Sequence, residues 1–214
     1  LELGLAINQV LKIPARVLLR VAEFKCRDFP KLFNKIKSLP WNQYLVGSDF
    51  DLEVSCQKSR LLNEKRVEEA VRDGILRHFQ MQPPKKPKKS AKLMVHIRMF
   101  DDICTVSVDT SGEALFKRGY KTLEGAAPLR ENLAAGLFYA LWVVGKGFDI
   151  LIDPLCGSGT FLLEGQSFWH KTKSREFAFQ LNEKWHATDI HLEPAGPQYF
   201  YGFDANPAIL QNLK

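Results

Sequence analysis

Residues 149–164 read DILIDPLCGSGTFLLE, and the fold is decided by how this stretch is read. The apolar run Ile150-Leu151-Ile152 ends at Asp153. The loop Pro154-Leu155-Cys156-Gly157-Ser158-Gly159-Thr160 follows, and Phe161, Leu162 and Leu163 then open a helical periodicity. Strand, glycine-bearing turn and helix in that order make the first half of a parallel α/β unit. Two glycines let the backbone pass close to a ligand, and the helix start aims N–H groups at it. Asp153 stands at the carboxyl end of the strand, where open α/β sheets bind their ligands. No Lys-Ser or Lys-Thr follows the glycines, so the loop is not built for a triphosphate. Gly157-Ser158-Gly159 also lacks the third glycine of the dinucleotide fingerprint.

Downstream, Tyr199-Phe200-Tyr201-Gly202-Phe203-Asp204 is an aromatic strand ending in an acid, and Ala205-Asn206-Pro207-Ala208 opens another helix. An acid closing the second strand of such a sheet can accept hydrogen bonds from ribose hydroxyls. The plainer alternative is a turn aspartate capping the next helix. DPLCGSGTFLLE followed by GFDANP resembles motifs I and II of S-adenosylmethionine-dependent methyltransferases. More narrowly, the chain resembles the THUMP-domain RNA methyltransferases that modify the guanine 2-amino group in large-subunit (23S) ribosomal RNA. Lys117-Arg118-Gly119-Tyr120, with Ala127-Pro128-Leu129-Arg130-Glu131-Asn132-Leu133-Ala134-Ala135, is similar to that family's lead-in to the catalytic domain. Phe177-Ala178-Phe179 and Trp185 are similar to its insertion between the two motifs. The four motifs stand in the family's order and span nearly the whole chain.

The resemblance implies S-adenosyl-L-methionine as cofactor, bound by Asp153, Leu155, Cys156, Gly157, Ser158, Gly159, Thr160, Asp204, Ala205, Asn206, Glu131 and Asn132. In the family's pattern the backbone of Cys156 to Thr160 cradles the methionine end and Asp153 faces the amino group. Asp204 takes the ribose hydroxyls, and Glu131 and Asn132 lie near the carboxylate. The cofactor carries the electrophile, so the protein's task is to position and desolvate both partners. The target guanine is expected to leave its stack to reach the pocket. One element of the family is missing. No Asn-Pro-Pro-Tyr occurs, and Asn206-Pro207, the only Asn-Pro, belongs to motif II. The chain is therefore expected to be an N-terminal piece, or one whose remaining half is supplied elsewhere, with no assignable catalytic residue, a parallel sheet of two or three strands, an exposed edge and no turnover by itself. A non-catalytic RNA-binding module is the alternative of a different class. An adenine-specific DNA methylase is the alternative within enzymes, and the THUMP-like first half favours RNA over it.

The chain has 214 residues, 45% hydrophobic, with a net charge of +6. That is enough for one or two domains with real cores, and the basic excess suits a nucleic-acid partner. Cys26, Cys56, Cys104 and Cys156 are scattered without Cys-x-x-Cys, which fits a reducing cytoplasm better than a disulfide framework or a zinc site. No apolar run reaches the roughly 18 residues of a membrane span, and no signal peptide is visible. The first residue is not Met and reads as mid-helix, so upstream residues are expected.

Periodicity predicts a helix over 1–12, a strand over 15–24, and a helix capped by Asp28 with Leu32, Phe33, Ile36 and Leu39 inward. A strand over 50–56 follows, then a helix from the Asn63 cap to Phe79, with Val67, Ala70, Val71 and Ile75 inward. Strands over 93–100 and 103–110 are joined by a tight hairpin at Asp101-Asp102. An apolar helix spans 131–144. The expected fold is α/β: residues 1–112 a THUMP-like RNA-binding module with a partial N-terminal subdomain, 113–127 a linker, and 128–214 part of a Rossmann-like methyltransferase domain.

Lys58, Ser59, Arg60, Lys65 and Arg66 sit at the turn between the 50–56 strand and the helix after it, where cations beside a helix start can grip phosphate. The alternative is a solvated basic turn. In the resembled family this turn matches a Ser-Arg element of an RNA-recognising module. Lys85, Lys86, Lys88 and Lys89 lie in a proline- and lysine-rich loop that is either a further phosphate contact or merely solvated. His186, Asp189 and His191 are close in sequence but lack convergent spacing, so no metal is expected. Cys156 has no neighbouring general base in sequence and reads as a small pocket-lining side chain.

Overall fold

The computed structural model describes residues 2–46, 49–80, 92–118, 129–170, 175–193, 195–208 and 210. Contacts gather these into two compact units, neither continuous in sequence. One comprises Val17–Gly112 and Phe177–His186; the other comprises Leu1–Arg16, Glu113–Glu176 and Ala187–Lys214.

The first unit is a four-stranded sheet with two helices. Its elements are β1 (Leu18–Lys25), α2 (Phe29–Lys37), β2 (Phe50–Gln57), α3 (Glu64–His78), β3 (Leu93–Phe100) and β4 (Ile103–Asp109), the first helix, α1 (Glu2–Ala6), belonging to the other unit. The strand order is β1-β4-β3-β2, antiparallel except for the parallel β2/β3 pair. Alternation puts Leu93, Val95, Ile97 and Met99 on the buried face beside Cys104, Val106 and Val108 of β4. Leu32 and Ile36 of α2 and Val67, Val71 and Ile75 of α3 are equally buried. The helices approach closely at Gly74, where a Cβ would come within 2.9 Å of Ile36 Cγ2. Both helix starts follow the expected caps: Asp28 accepts from Lys31 N–H (2.8 Å) and Asn63 from Arg66 N–H (3.1 Å). Asp101 and Asp102 both have positive φ, 51° and 60°, as a two-residue hairpin with the right-handed strand twist requires.

Two sequence expectations shift in this unit. The first strand begins at Leu18, not Ala15, because Val17 is used elsewhere: its N–H donates to Ser111 Oγ (2.7 Å) and its carbonyl accepts from Thr110 N–H (3.1 Å). A register shift between Arg20 and Ala22 also interrupts its alternation. The Phe177–Trp185 segment adds to this unit rather than to its sequence neighbours. Phe179 N–H donates to the Thr110 carbonyl (3.0 Å) and Trp185 Nε1–H to the Gln43 carbonyl (2.9 Å).

The second unit holds α1 (Glu2–Ala6), α4 (Glu131–Val144), β5 (Ile150–Asp153), α5 (Thr160–Ser167) and β6 (Tyr199–Gly202). The expected helix to Lys12 stops early, in a 3-10 turn over Ile7–Gln9. Pro14 disfavours helix at Ile13, and Lys12 is buried. Residues 1–16 join this unit, where Leu115 N–H donates to the Ala15 carbonyl (2.7 Å). β5 and β6 pair in parallel, Asp153 opposite Gly202. Phe138, Leu151, Cys156 and Leu162 form the buried core between helix and strand, ringed by Trp142, Phe148, Phe161, Phe168 and Phe200. Parallel strands are ordinarily covered on both faces. Among the described residues Ile150, Ile152, Tyr199, Tyr201 and Phe203 remain exposed, as do Leu133, Leu137, Leu141 and Val144 of α4.

Candidate functional site

In the second unit, the two loops at the carboxyl ends of β5 and β6 are laced together by backbone. Phe203 N–H donates to the Asp153 carbonyl and Cys156 N–H to the Phe203 carbonyl, each at 2.9 Å. Asp153 turns its carboxylate back to accept from Leu155 N–H (3.1 Å). Asp204 spans the crevice: Oδ2 accepts from Gly157 N–H (3.1 Å) and Oδ1 from Asn206 N–H (2.8 Å). Each of these oxygens keeps a further lone pair, so Asp204 can organise the glycine loop and still accept from a diol. Asn206 Oδ1 accepts from Ala208 N–H (3.1 Å), which stiffens the second loop.

The glycines act where geometry demands them. Gly157 (φ 52°) and Gly159 (φ 76°) are both left-handed, and a Cβ on Gly157 would meet nothing within 4 Å. The loop thus presents bare backbone to open space. Gly159 is the N-cap of α5, so the first N–H groups of that helix have no partner within it. Gly202 serves the opposite purpose. A Cβ there would lie 2.7 Å from Leu162 Cδ1 and 2.9 Å from Cys156 Sγ, so glycine lets β6 pass under the loop without displacing either side chain.

Leu155 projects into solvent, Cys156, Gly159 and Thr160 are buried, and Ala205 and Asn206 are exposed. Glu131 and Asn132 open α4, which packs on α5. Burial, then the carboxylates of Asp153 and Asp204, push the Cys156 thiol above its ordinary value. A thiol held protonated is a poor nucleophile, in keeping with a pocket-lining role. On the helix that follows the loop, Glu164 belongs to a buried charge cluster absent from the sequence reading. Arg118 Nη1 binds Glu164 Oε2 and its Nη2 donates to the Lys12 carbonyl; their side chains are 2% and 0% exposed. Burial pushes Glu164 up to about 7 against the pull of Arg118, and pushes Lys12 down to about 8. The available signal was a lone acid four residues after Thr160, on the buried side of α5.

In the first unit the basic turn is held by the β3–β4 hairpin. Asp102 accepts Arg60 N–H (2.8 Å) on Oδ1 and Arg27 Nε–H (2.7 Å) on Oδ2. The Arg60 N–H, then Arg27, hold its carboxyl below the usual value. Ser59 is not a surface contact. It is buried, its hydroxyl donating to the Gln57 carbonyl (3.0 Å) and accepting from Asp102 N–H (2.9 Å). Lys58 (φ 48°), Arg60, Lys65 and Arg66 are exposed, Arg66 stacked 4.4 Å over Phe29. From sequence Asp102 reads only as a hairpin residue, because its distance along the chain from Arg60 and Arg27 hides these contacts. Lys85, Lys86, Lys88 and Lys89 lie outside the described residues, as do Gly119-Tyr120 and Ala127-Pro128. Among the described residues no group of three or more His, Cys, Asp or Glu could hold a metal ion. His191 lies 3.3 Å from Glu193, both in solvent. No described helix is long and apolar enough to cross a membrane.

Residues 26–109 match the THUMP domain model, and residues 118–214 match a model described as an RMKL-like methyltransferase domain. A ribosomal RNA large subunit methyltransferase K/L of Marinomonas sp. is 34% identical over 72% of this chain, which spans 22% of that relative. Among solved structures, SMU.472, assigned as a methyltransferase and crystallised with SAH, superposes with a TM-score of 0.73. It is 27% identical, over 97% of this chain and 59% of its own. A Listeria monocytogenes protein described as a predicted N6-adenine-specific DNA methylase gives 0.72 at 26% identity, over 98% and 59%. The chain thus spans less than a quarter of the first of these relatives and under two thirds of the solved structures.

Proposed function

From the premise that this chain joins a THUMP domain to an RMKL-like methyltransferase domain, we propose that it is the RNA-recognising and cofactor-binding part of an S-adenosyl-L-methionine-dependent methyltransferase acting on large-subunit (23S) ribosomal RNA. The target group is the 2-amino group of a guanine. The observation that carries the reading is Asp204, bridging the two loops through Gly157 and Asn206 while keeping lone pairs free. Bound cofactor would supply an electrophilic methyl group. The protein's own residues then do the positioning. Asp204, with Ala205 and Asn206 beside it, receives the ribose hydroxyls, and the backbone from Cys156 to Thr160 lies along the methionine end. Leu155 covers it, Asp153 faces the amino group, and Glu131 and Asn132 sit towards the carboxylate. Lys58, Arg60, Lys65 and Arg66, with Lys85, Lys86, Lys88 and Lys89, bind phosphate; Ser59 shapes the turn. The 214 residues contain no Asn-Pro-Pro-Tyr to hold the acceptor amine, so by themselves they bind without turning over. A likeness to a protein described as a DNA methylase keeps the DNA reading as the alternative; methyl transfer to duplex DNA but not RNA would select it.

Calorimetric titration of the full-length protein with S-adenosylmethionine tests the reading. Wild type should bind, and Asp204→Ala should bind at least about tenfold more weakly, since hydrogen bonds to a charged acceptor contribute about 1.5–3 kcal/mol. No uptake by wild type would refute it.

A further inference from the structure

We propose that the helix-free face of the four-stranded sheet, at its hairpin end, captures one unpaired RNA nucleotide, its base stacked on Phe100 and its phosphate held by Arg98 and Lys58. The inference rests on the RNA reading above and deepens it.

The pairing register lays three rungs across this face. Glu53, His96, Ser107 and Arg20 share the first; Ser55, Arg98, Thr105 and Glu23 the second; Gln57, Phe100, Ile103 and Lys25 the third. All four residues of the last rung are exposed, and Phe100 and Ile103 are 38% and 40% exposed. Phe100 is thus a partly packed ring at the sheet end that still presents 38% of its surface to solvent, where a flat partner can reach it. Two cations flank it, Lys58 Nζ at 5.6 Å and the Arg98 guanidinium at 5.3 Å from the ring centre. Among the described residues neither cation has a carboxylate partner, whereas Arg20 on the first rung is paired with Glu23 (2.6 Å). The free positive charge is therefore concentrated at the ring.

Cations and an open aromatic on one surface match a nucleotide, which offers a phosphate and a flat base together. A base stacked inside a duplex has no free face to offer, so the surface selects an unstacked, unpaired one. An exposed cation over a ring is held loosely, so the flexible Lys58 can yield the ring to a base and turn to the phosphate. One rung back, a concavity of about 210 Å³ lined by Arg20, Glu53, Ser55, His96, Arg98 and Thr105 offers hydroxyl and charged edges. It is smaller than a typical small-molecule pocket and suits the sugar of the same or the next nucleotide. The face also adjoins the basic turn, because Lys58 belongs to both.

The test is fluorescence anisotropy of full-length protein with an RNA stem-loop carrying an unpaired tail, and with the same stem-loop ending blunt. Phe100→Leu should weaken the tailed RNA by about tenfold, the loss of one stacked base, and leave the blunt RNA unchanged. Phe100→Tyr should keep wild-type affinity, and unchanged circular dichroism of Phe100→Leu shows that the fold is intact. Arg98→Gln and Lys58→Gln should each lower the slope of log affinity against log salt by about one. Equal binding of tailed RNA by wild type and Phe100→Leu overturns the inference, as does equal weakening of both RNAs. A change in self-association with RNA binding intact overturns it too, by making the face a protein contact. If wild type binds neither RNA, the underlying RNA reading fails and the inference falls with it; if only the Phe100 effects are missing, that reading stands.

Discussion

The buried Arg118–Glu164 pair makes a prediction whose size can be worked from its surroundings. Arg118 and Glu164 side chains are 2% and 0% exposed, and the Arg118 guanidinium also reaches the Lys12 carbonyl. Arg118→Met would leave a fully buried carboxylate with no guanidinium, and removing one partner of a buried pair costs about 3–5 kcal/mol. The lost donor to the Lys12 carbonyl adds about 1 kcal/mol. Glu164→Leu strands the guanidinium in the same way. Replacing both by apolar side chains of similar volume removes the two desolvation penalties together, so Arg118→Met/Glu164→Leu should cost no more than about 1–2 kcal/mol. The coupling energy is then about 5 kcal/mol or more, where independent sites would show less than about 0.5 kcal/mol. Urea unfolding at pH 8, where Glu164 is mostly ionised, followed by the fluorescence of Trp142 and Trp169 in the same unit, measures all four corners. Single-mutant losses that simply add would refute the reasoning, and so would singles costing under about 1 kcal/mol. The same variants bear on function, because Glu164 anchors the helix whose first N–H groups frame the glycine loop: Arg118→Met should also weaken cofactor binding.

Glu164 has a folded-state value raised to about 7 from 4.5, so the folded state holds its proton more tightly. Its contribution is fully present below pH 4.5 and is lost as pH rises through about 7, by up to about 3 kcal/mol; Glu164→Gln should abolish that decline in urea titrations. Lys12, lowered to about 8 from 10.5, has the opposite sign, so stability should rise again between pH 8 and 10.5, and Lys12→Met should remove the rise. Gly202→Ala drives a Cβ to within 2.7 Å of Leu162 Cδ1 and 2.9 Å of Cys156 Sγ, both side-chain atoms that can give way. It should cost about 1–3 kcal/mol in urea unfolding, and adding Cys156→Ala should return part of that. Asp102→Ala raises the net charge yet frees Arg60 and Arg27 from their common anchor. Affinity for RNA by anisotropy should fall about fivefold if the turn must be held in place and rise if charge alone governs binding.

Much of the fold and part of the candidate site were legible because they are local. Asp28 and Asn63 cap helices through N–H groups three residues away, and Asp101-Asp102 makes a hairpin because both residues tolerate positive φ. The strand, glycine loop and helix from Ile150 onward follow from period and glycine placement in one short stretch. Those preferences belong to the backbone and its nearest neighbours, so they are written wherever the residues stand.

What tertiary structure alone decided involves partners distant in sequence. Ser59 looked like a surface residue until the β3–β4 hairpin came to lie against it. Glu164 reads as an ordinary helix acid until Arg118 and Lys12 close over it. The segment from Phe177 to Trp185 follows motif I in order but packs with Thr110 and Gln43, and the register shift in β1 moves its alternation out of step. Period and propensity say which residues must be buried or bonded; only the folded chain determines by whom, because burial and charge pairing depend on which distant groups share the space.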